Sequence, residues 1–438
     1  MKRKVALALV GVMVLSMVGG CSSGNGDSKG GSGDSGKSGD KVVMNMTTLN
    51  GGTNDVFAEA VQKEIDKFNA DNEYNVEIQL ECYSNDNYKT KLTTLMASNS
   101  QPDIFYTWEA GYLQPFVEGG KVYPVGDIFN EDEEWNSVFP DKSVFGPLTY
   151  DDKIYAVPNA RQICVVAYNK DLLDEADAAV PTTYQEFLDT CQKLTDAGIP
   201  AFCCPCGEAW YGGQLLQQMC NISGGADFYD YMVSDEVEWN NETFVEAGEM
   251  LKEMNDKGYL MNGSLGMDPS EGFERFNNKD VAMIQLITSS VNKLISDSVA
   301  PDQIDFFILP TDDPANAGVN VGSIGLTYAI SSQAENPEAA AAFLKQLSLS
   351  TDYQQDLTDN SQVSVTNLEV NTESLDPMTL RARERFEEMT LYTPWLDRIY
   401  GAGEGGEFNN ASVAILGGTS PQEAMDNLQQ FAIDNAKN

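Results

Sequence analysis

The residue types that usually carry catalysis are unevenly represented in this chain. It contains no histidine, which excludes Ser-His-Asp and Cys-His nucleophilic arrangements and histidine-based zinc sites. Eight cysteines are present, but their uneven spacing is not that of a disulfide framework. Cys203, Cys204 and Cys206 form the tightest group, and a fourth thiolate or other ligand at a known metal-binding spacing is missing. The sequence therefore predicts no metal site and no cofactor.

Carboxylates and aromatic rings remain as the candidate chemistry. The chain has 67 Asp and Glu against 27 Lys and Arg, which gives a formal net charge of −40. Such a charge repels nucleic acid and phosphate-rich ligands, so we expect no nucleic-acid partner and favour a neutral or cationic ligand. Two carboxylates can hydrolyse a glycoside without histidine, but no motif positions such a pair. A surface glycoside hydrolase is therefore the less favoured interpretation, and we expect a protein that is not an enzyme.

The N-terminal residues have the pattern of a bacterial lipoprotein signal. Three basic residues at positions 2–4 precede an apolar stretch, 5–18, that is too short to be a good membrane span. The letters LSMVGGC then place Cys21 where such signals are lipidated. A Gly/Ser/Asp-rich tether, 22–40, follows and cannot bury a core. We expect a signal peptide over 1–20, a lipid on Cys21, and a folded body held at the outer face of the cytoplasmic membrane.

Strand and helix patterns alternate after the tether. Residues 41–49 and 74–80 are β-rich, each precedes an amphipathic helical pattern, and 103–106 form a short buried strand. This alternation predicts crossover connections and a parallel sheet. The pattern restarts after residue 150, where a Thr-x-x-Glu capping box at Thr183 and Glu186 predicts the start of a helix. About 400 residues exceed what one hydrophobic core usually organises, so we expect an α/β protein with two lobes.

Segments spread over nearly the whole folded part resemble one known family. They include QPDIFYTW at 101–108, DDKIYAVPNARQICVVAYNKDLL at 151–173 and VGSIGLTYAISSQAENPEAAAAFLKQL at 321–347. In order and spacing they are similar to the extracellular solute-binding lipoproteins of ABC importers, in the sugar-binding branch related to maltose-binding protein. The resemblance implies a two-lobe periplasmic-binding-protein-like fold (type II), hinged by crossing segments near 159–164 and 322–326.

The resemblance also implies boundaries, a ligand and partners. It places 41–160 plus about 280–325 in the N-terminal lobe, and about 161–279 plus 326–438 in the C-terminal lobe. Its members close around a ligand like a hinged clamp, and a membrane permease then distinguishes the closed conformer. The implied function is capture of a carbohydrate, an oligosaccharide, and its delivery to the permease subunits of an ABC importer by a monomeric protein that contacts the membrane through its lipid alone.

Sugar sites combine aromatic planes with polar groups that bond hydroxyls, and in open α/β sheets they lie beyond the carboxyl ends of strands. By these criteria and by the resemblance, three groups of residues should bind the ligand. They are Thr53, Asn54, Tyr83, Asp86, Trp108 and Glu109 after the first strands; Arg161, Gln162, Gly322 and Ser323 on the crossings; and Glu208, Trp210, Tyr211, Ser289 and Trp395 elsewhere.

Trp210 and Tyr211 are the strongest pair among these candidates. Ser289 and its neighbours stand where relatives often carry Gly-x-Trp, so a stacking ring is missing there and Trp395, Tyr392 or Tyr400 would have to supply it. One alternative keeps the clamp and changes the ligand. Three acidic candidates could make the cleft acidic enough for a polyamine, a peptide or another cation; they are Asp86, Glu109 and Glu208.

Overall fold

The computed structural model describes residues 41–49, 56–234, 237–297 and 300–436. Residues Lys41–Asn438 form one compact unit. The signal peptide, the tether and the lipidated Cys21 predicted from the sequence lie outside the described residues, as do Thr53 and Asn54. Within those four ranges, no helix combines the length and the apolar character that crossing a membrane requires.

Short strands alternate with helices along the whole unit. In chain order the strands are β1 (Val42–Leu49), β2 (Val76–Tyr83), β3 (Ile104–Thr107), β4 (Thr149–Tyr150), β5 (Lys153–Ile154), β6 (Ala156–Val157), β7 (Ala160–Asn169), β8 (Phe202–Cys203), β9 (Met283–Ile287), β10 (Ile304–Phe307), β11 (Val319–Gly325), β12 (Thr327–Ile330), β13 (Val363–Ser364) and β14 (Leu391–Thr393). The helices are α1 (Val56–Ala70), α2 (Asn85–Ala97), α3 (Gln114–Glu118), α4 (Gly126–Glu131), α5 (Glu133–Ser137), α6 (Lys170–Glu175), α7 (Tyr184–Asp196), α8 (Ala209–Met232), α9 (Glu242–Asp256), α10 (Pro269–Asn277), α11 (Val291–Asp297), α12 (Pro337–Leu349), α13 (Thr351–Asp359), α14 (Pro377–Glu384), α15 (Leu396–Ile399), α16 (Gly406–Leu416) and α17 (Pro421–Asn435).

One sheet has the strand order β2-β1-β3-β12-β6. Its strands β1, β2 and β3 are parallel, as the alternation of strands and helices predicts, whereas β12 runs antiparallel to β3 and β6. Helices α1 and α12 pack on this sheet, with the Phe68 and Phe343 rings in edge contact at 5.5 Å between centroids. We call this sheet and the helices on it the first lobe.

A second sheet has the order β14-β11-β7-β9-β8, and β10 and β13 also pair with β7. This sheet is mixed: β7 is antiparallel to β9, β10, β11 and β13, while β8–β9 and β11–β14 are parallel. Helices α7, α8, α9, α16 and α17 share one core on it. We call this sheet and its helices the second lobe.

The chain passes between the sheets at the two places that the sequence predicts. The first passage joins β6 to β7 at Asn159, and the second joins β11 to β12 at Leu326, which adopts a positive φ of 49°. The Asn159 side-chain amide donates to the Leu326 carbonyl at 2.8 Å, so the two passages are bonded to each other. A third passage, not predicted, follows β13: Val365 still lies in the first core, whereas Met378 lies in a core of the second sheet.

The lobe boundaries expected from the sequence are wrong for the middle of the chain. Strands β9, β10 and β11, expected in the N-terminal lobe, pair with β7 in the second sheet. Conversely β12, α12 and α13, expected in the C-terminal lobe, belong to the first sheet and its core. The chain therefore changes lobe at Leu326 in the direction opposite to the expected one, because strand pairing decides the membership of a segment.

Helix starts follow the local chemistry of the sequence. Helix α7 begins as predicted, with the Thr183 hydroxyl accepting the Glu186 backbone N–H at 3.1 Å. The Glu186 carboxylate reaches back one residue further than in a capping box, to the backbone N–H of Thr182 at 2.8 Å. Gly198, with φ of 79°, follows the end of the helix.

Candidate functional site

The first turn of α8 carries two stacked aromatic rings. The centroids of Trp210 and Tyr211 lie 3.8 Å apart at an interplanar angle of 30°. The Trp210 indole N–H donates to the carboxylate of Glu208, the residue that precedes the helix. Tyr211 is buried, and burial raises the pKa of its phenol well above the ordinary value. Trp210 is partly exposed, so this turn presents a planar apolar face with a carboxylate at its edge.

Side chains beneath this turn hold it in place. The Tyr211 carbonyl accepts from the Gln285 side-chain amide at 3.1 Å and from the Cys204 thiol at 3.4 Å. The Cys204 and Cys206 sulfurs are 3.6 Å apart and both residues are buried. The pKa of Cys204 is raised well above its usual value, through its hydrogen bond with Cys206 and its burial, so the Cys204 thiol packs as a neutral group.

The loop after β3 places Trp108 in an aromatic cluster of the first lobe. Its ring lies 5.2 Å from that of Tyr106, 5.0 Å from Tyr112 and 5.9 Å from Tyr88, and only 5% of the residue is exposed. The Lys89 ammonium sits 5.4 Å from the Trp108 ring. Trp108 therefore contributes mainly to packing in this conformation.

The side chain of Glu109, the next residue, contacts the second lobe. Both of its carboxylate oxygens accept from Arg398 Nη1 at 3.2 Å, and the same nitrogen donates to the Ile324 carbonyl at 3.0 Å. The side chains of Glu109 and Arg398 are 1% and 12% exposed. The Arg398 guanidinium also lies 4.0 Å from the Trp395 ring. Burial alone would lower the pKa of Arg398, but Glu109 and other nearby groups raise it, so the arginine is charged.

The backbones of the two lobes approach closely beside this ion pair. A Cβ added at Gly111 would lie 2.2 Å from the Ile399 carbonyl oxygen and 2.8 Å from the Gly401 nitrogen. Gly401 has φ of 69°, and a Cβ added there would lie 2.5 Å from the Gly111 carbonyl oxygen. Glycine is required at these two positions because no side chain fits between the two backbone segments.

Helix α8 joins the aromatic pair to the interlobe ion pair. The Gln217 side chain donates to the Pro394 carbonyl at 2.7 Å and accepts from the Leu396 backbone N–H at 2.9 Å. Trp395 lies between these two residues and is 2% exposed. Helix α8 thus carries Trp210 in its first turn. Two turns later it carries Gln217, which fixes the backbone on both sides of Trp395.

The candidates on the crossings lie on paired strands. Ser323 is opposite Gln162 in the pairing of β11 with β7, and Gly322 is opposite Ile163. The Gln162 side-chain amide donates to Gln362 at 3.1 Å, so it is engaged within the protein. Arg161 pairs with Asp141 and its guanidinium lies 5.3 Å from the Tyr392 ring.

The remaining candidates are more dispersed. Ser289 is half-buried after β9, next to Thr288, whose hydroxyl accepts the Ile163 backbone N–H at 3.3 Å. Tyr83 is half-buried, donates to Glu81, and its ring is 6.2 Å from that of Tyr88. The side chain of Asp86 is outside the described part of the structure, so the position of this acid stays a prediction.

The structure thus brings most of the described candidates into three groups. One is the turn with Glu208, Trp210 and Tyr211. Another is the contact of Glu109 with Arg398 and Trp395, beside the cluster around Trp108. The last lies on the crossing strands. The sequence missed Arg398, although its place three residues after Trp395, in a stretch WLDR, was a visible signal for a cation beside a ring.

The chain is similar to known proteins. The model of a family described as bacterial extracellular solute-binding protein matches residues 54–353, more than half of the chain. An uncharacterized ABC transporter extracellular-binding protein of Pyrococcus horikoshii is 27% identical over 161 residues, which are 36% of this chain and 36% of that protein. The match therefore spans little more than a third of that relative.

Two further similarities cover more of the molecule. The galactooligosaccharide-binding protein of Bacillus subtilis is 24% identical over 319 residues, 68% of this chain and 69% of that protein. The solved structure of a chitin oligosaccharide binding protein superposes with a TM-score of 0.81 at 21% identity, covering 90% of this chain and 98% of that one. The latter likeness concerns the two-lobe fold.

Proposed function

Since the chain belongs to the bacterial extracellular solute-binding protein family, we propose that it captures a carbohydrate between its lobes and delivers it to the permease of an ABC importer. The observation that carries this proposal is the stacked pair of Trp210 and Tyr211, with the Glu208 carboxylate at its edge. A flat apolar face beside a hydrogen-bonding acid suits the ring and the hydroxyls of a sugar. The names of two similar proteins, which refer to galactooligosaccharide and chitin oligosaccharide, support an oligosaccharide.

The partners that the Glu109 and Glu208 carboxylates already have favour a neutral sugar over a cation as the ligand. Glu109 is already paired with Arg398, and Glu208 already accepts the Trp210 indole N–H. A cationic ligand would have to compete with the Arg398 guanidinium for a buried carboxylate, which is costly. A sugar hydroxyl can bond to the half-buried Glu208 without displacing a charge. Sugar binding therefore needs less rearrangement of the groups described here.

The site and the cellular setting complete the proposal. The ligand would contact Glu208 and Trp210 from the second lobe and the loop after β3 from the first, with Arg161 at the hinge side. Glu109 and Trp395, which are 1% and 2% exposed, would support this site without touching the ligand. The protein would act as a monomer without catalysis of its own. A lipid on Cys21 would hold it at the outer face of the cytoplasmic membrane, where the permease is available; the pattern of residues 1–21 supports this anchor.

Thermal unfolding of residues 41–438 in the presence of a ligand panel tests the proposal. The panel contains xylo-, chito- and galacto-oligosaccharides, their monosaccharides, and spermidine. A ligand at 100 times its dissociation constant adds about 2.7 kcal/mol to the unfolding free energy, which is a visible shift of the midpoint.

We expect a shift with one class of oligosaccharide, absent in Trp210→Ala. The matched control is Tyr74→Ala, which removes a half-buried ring of the first lobe outside all three groups. A shift with spermidine and with no sugar would contradict the carbohydrate assignment. An equal sugar shift in Trp210→Ala would contradict the assigned site.

A further inference from the structure

A cavity of about 690 Å³ lies in the second lobe, and none of the described candidate residues lines it. Its position follows from the sheet. Strand β11 pairs with the first half of β7 and strand β10 with the second half, and β11 begins at Val319 beside β14. The cavity occupies the space where β10 and β11 diverge, and α14 closes one side. Its volume is within the range of pockets that hold small organic molecules, about 300–1,000 Å³.

The walls of this cavity combine an apolar strip with two arginines. Phe307 at the end of β10 and Tyr168 at the end of β7 line it, with ring centroids 5.8 Å apart. Arg381 and Arg385, four residues apart, also line the cavity. Burial raises the pKa of Tyr168 to about 12, and the two arginines oppose that rise, so the phenol is a neutral donor close to both guanidinium groups.

Several polar atoms in these walls have unused hydrogen-bonding capacity. The Nε–H groups of Arg381 and Arg385 are buried and, among the described residues, find no hydrogen-bond acceptor. Asn221 also lines the cavity; it is 2% exposed, and its Oδ1 has no donor within the described structure. Its Nδ2 is fixed by Thr393 at 2.8 Å. A buried polar atom without a partner costs stability, and a ligand towards which these side chains turn would supply the partner and recover that cost.

The charges around the cavity balance one another, which disfavours a ligand with more than one negative charge. Arg385 Nη1 is 2.7 Å from Glu388, Lys170 is 3.1 Å from Asp305, and Arg381 Nε is 3.9 Å from Asp305. Glu384 also lines the cavity, 3.5 Å from Arg385. Three cations therefore face three carboxylates. A phosphate-like dianion would meet too many acids, whereas one carboxylate can share the two guanidinium groups, which match its planar geometry.

We propose that this cavity is a second binding site, for a small monocarboxylate with an apolar body. The carboxylate oxygens accept from the guanidinium groups of Arg381 and Arg385 and from the Tyr168 hydroxyl. The apolar body lies along Phe307. This site is separate from the interlobe groups, so it does not depend on the carbohydrate proposal.

Calorimetric titration of the purified protein with phenylacetate and 3-phenylpropionate tests the site, with the corresponding neutral amides as matched ligands. We expect the carboxylates to bind and the amides to bind about tenfold more weakly or not at all, since a hydrogen bond to a charged group is lost. Arg381→Gln and Arg385→Gln should each weaken carboxylate binding about tenfold. Arg275→Gln, at an exposed arginine that pairs with Glu271 and Asp280, should leave it unchanged.

Weaker binding by the arginine variants could also result from loss of structure, so a further variant blocks the cavity without removing a charge. Val180, 40% exposed at the rim of the cavity, can be replaced by a larger side chain without removing a charge. Val180→Trp should abolish carboxylate binding while its thermal midpoint stays close to that of the wild type, and Trp210→Ala should leave carboxylate binding intact. No heat with either carboxylate, equal affinity for acids and amides, or undiminished binding in both Arg→Gln variants would overturn the proposal.

Discussion

Two carboxylates of the candidate site, Glu109 and Glu208, are stabilised in opposite ways. Glu109 is 1% exposed and depends on Arg398, a residue of the other lobe that is 289 positions away in the chain. Glu208 is half-buried and accepts the indole N–H of Trp210, two positions away in the same turn. The first carboxylate therefore belongs to a contact between lobes, and the second belongs to a local motif.

This difference predicts different consequences for stability and for binding. A buried ion pair leaves a costly unpaired charge when one partner is removed, so changes around Glu109 should alter folding and the relation of the lobes. Neutralising a partly exposed carboxylate that orients one ring should lower the unfolding free energy only a little. Changes at Glu208 should therefore affect ligand binding more than stability.

The largest effect is expected from removing the arginine. Arg398→Ala leaves Glu109 buried without a counter-charge and should lower the unfolding free energy by about 3–5 kcal/mol. Urea unfolding measures it, and Arg275→Ala at an exposed pair should change the free energy by less than about 1 kcal/mol. The double variant Glu109→Gln with Arg398→Met should recover most of the loss. A cost below about 1 kcal/mol for Arg398→Ala would place the pair among surface ion pairs.

The close backbone approach beside the ion pair should also matter. Gly111→Ala places a Cβ 2.2 Å from the Ile399 carbonyl oxygen, and overpacking of this kind costs about 1–3 kcal/mol. Because the strain can be relieved by separating the lobes, small-angle scattering should also show a larger radius of gyration. Gly266→Ala is the control, since apart from its chain neighbours no described atom lies within 4 Å of its Cβ position. Equal stability of the two variants would show that the lobes do not need this contact.

Neutralising the local carboxylate should separate binding from folding. In Glu208→Gln the amide oxygen can still accept the Trp210 N–H, so the unfolding free energy should change by less than about 1 kcal/mol. The affinity for the oligosaccharide found in the panel should fall about tenfold, since a charged hydrogen-bond acceptor is lost. Titration calorimetry and urea unfolding of one preparation give both numbers. A large loss of stability with unchanged affinity would reverse the roles assigned to the two acids.

The smallest effect is expected at the exposed ion pair of Arg161. Hydrogen bonds from Ser143 and the Arg161 guanidinium lower the pKa of Asp141. Its stabilising contribution is thus present above the unfolded pKa of aspartate, about 3.9, and disappears as the pH falls through the lower folded pKa. Asp141→Asn should cost less than about 1 kcal/mol at neutral pH. Urea midpoints from about pH 7 to about pH 3 should show this difference shrinking; a constant difference would exclude titration of Asp141 as its cause.

Much of the fold was predictable because local patterns decide it. The parallel strands β1, β2 and β3, the helices between them and the capped start of α7 all follow from periodicity and capping chemistry. The places of two crossings were also found. The lobe to which β9, β10 and β11 belong was not predicted. Their pairing with β7 depends on contacts between residues that are distant in the sequence.

Helix α8 shows why the arrangement of the candidate site could not be predicted from the sequence. It is kinked at Gly225, where φ is 56° and ψ is −139°, and buried residues surround the part before this kink on every side for most of its length, so it lacks the apolar stripe that reveals a surface helix. Without the helix, Trp210 and Tyr211 could be named as candidates but not placed on a helical turn. Arg398 was missed for a related reason, because its partner Glu109 comes from the other lobe.

Amide hydrogen exchange with and without the oligosaccharide that gives the largest thermal shift tests the central claim most directly. A sugar held between the lobes should slow exchange in residues 106–112 and in 208–214 together, while 305–311 beside the separate cavity stay unchanged. Protection confined to one of the first two segments, or found only in 305–311, would contradict a site shared by both lobes.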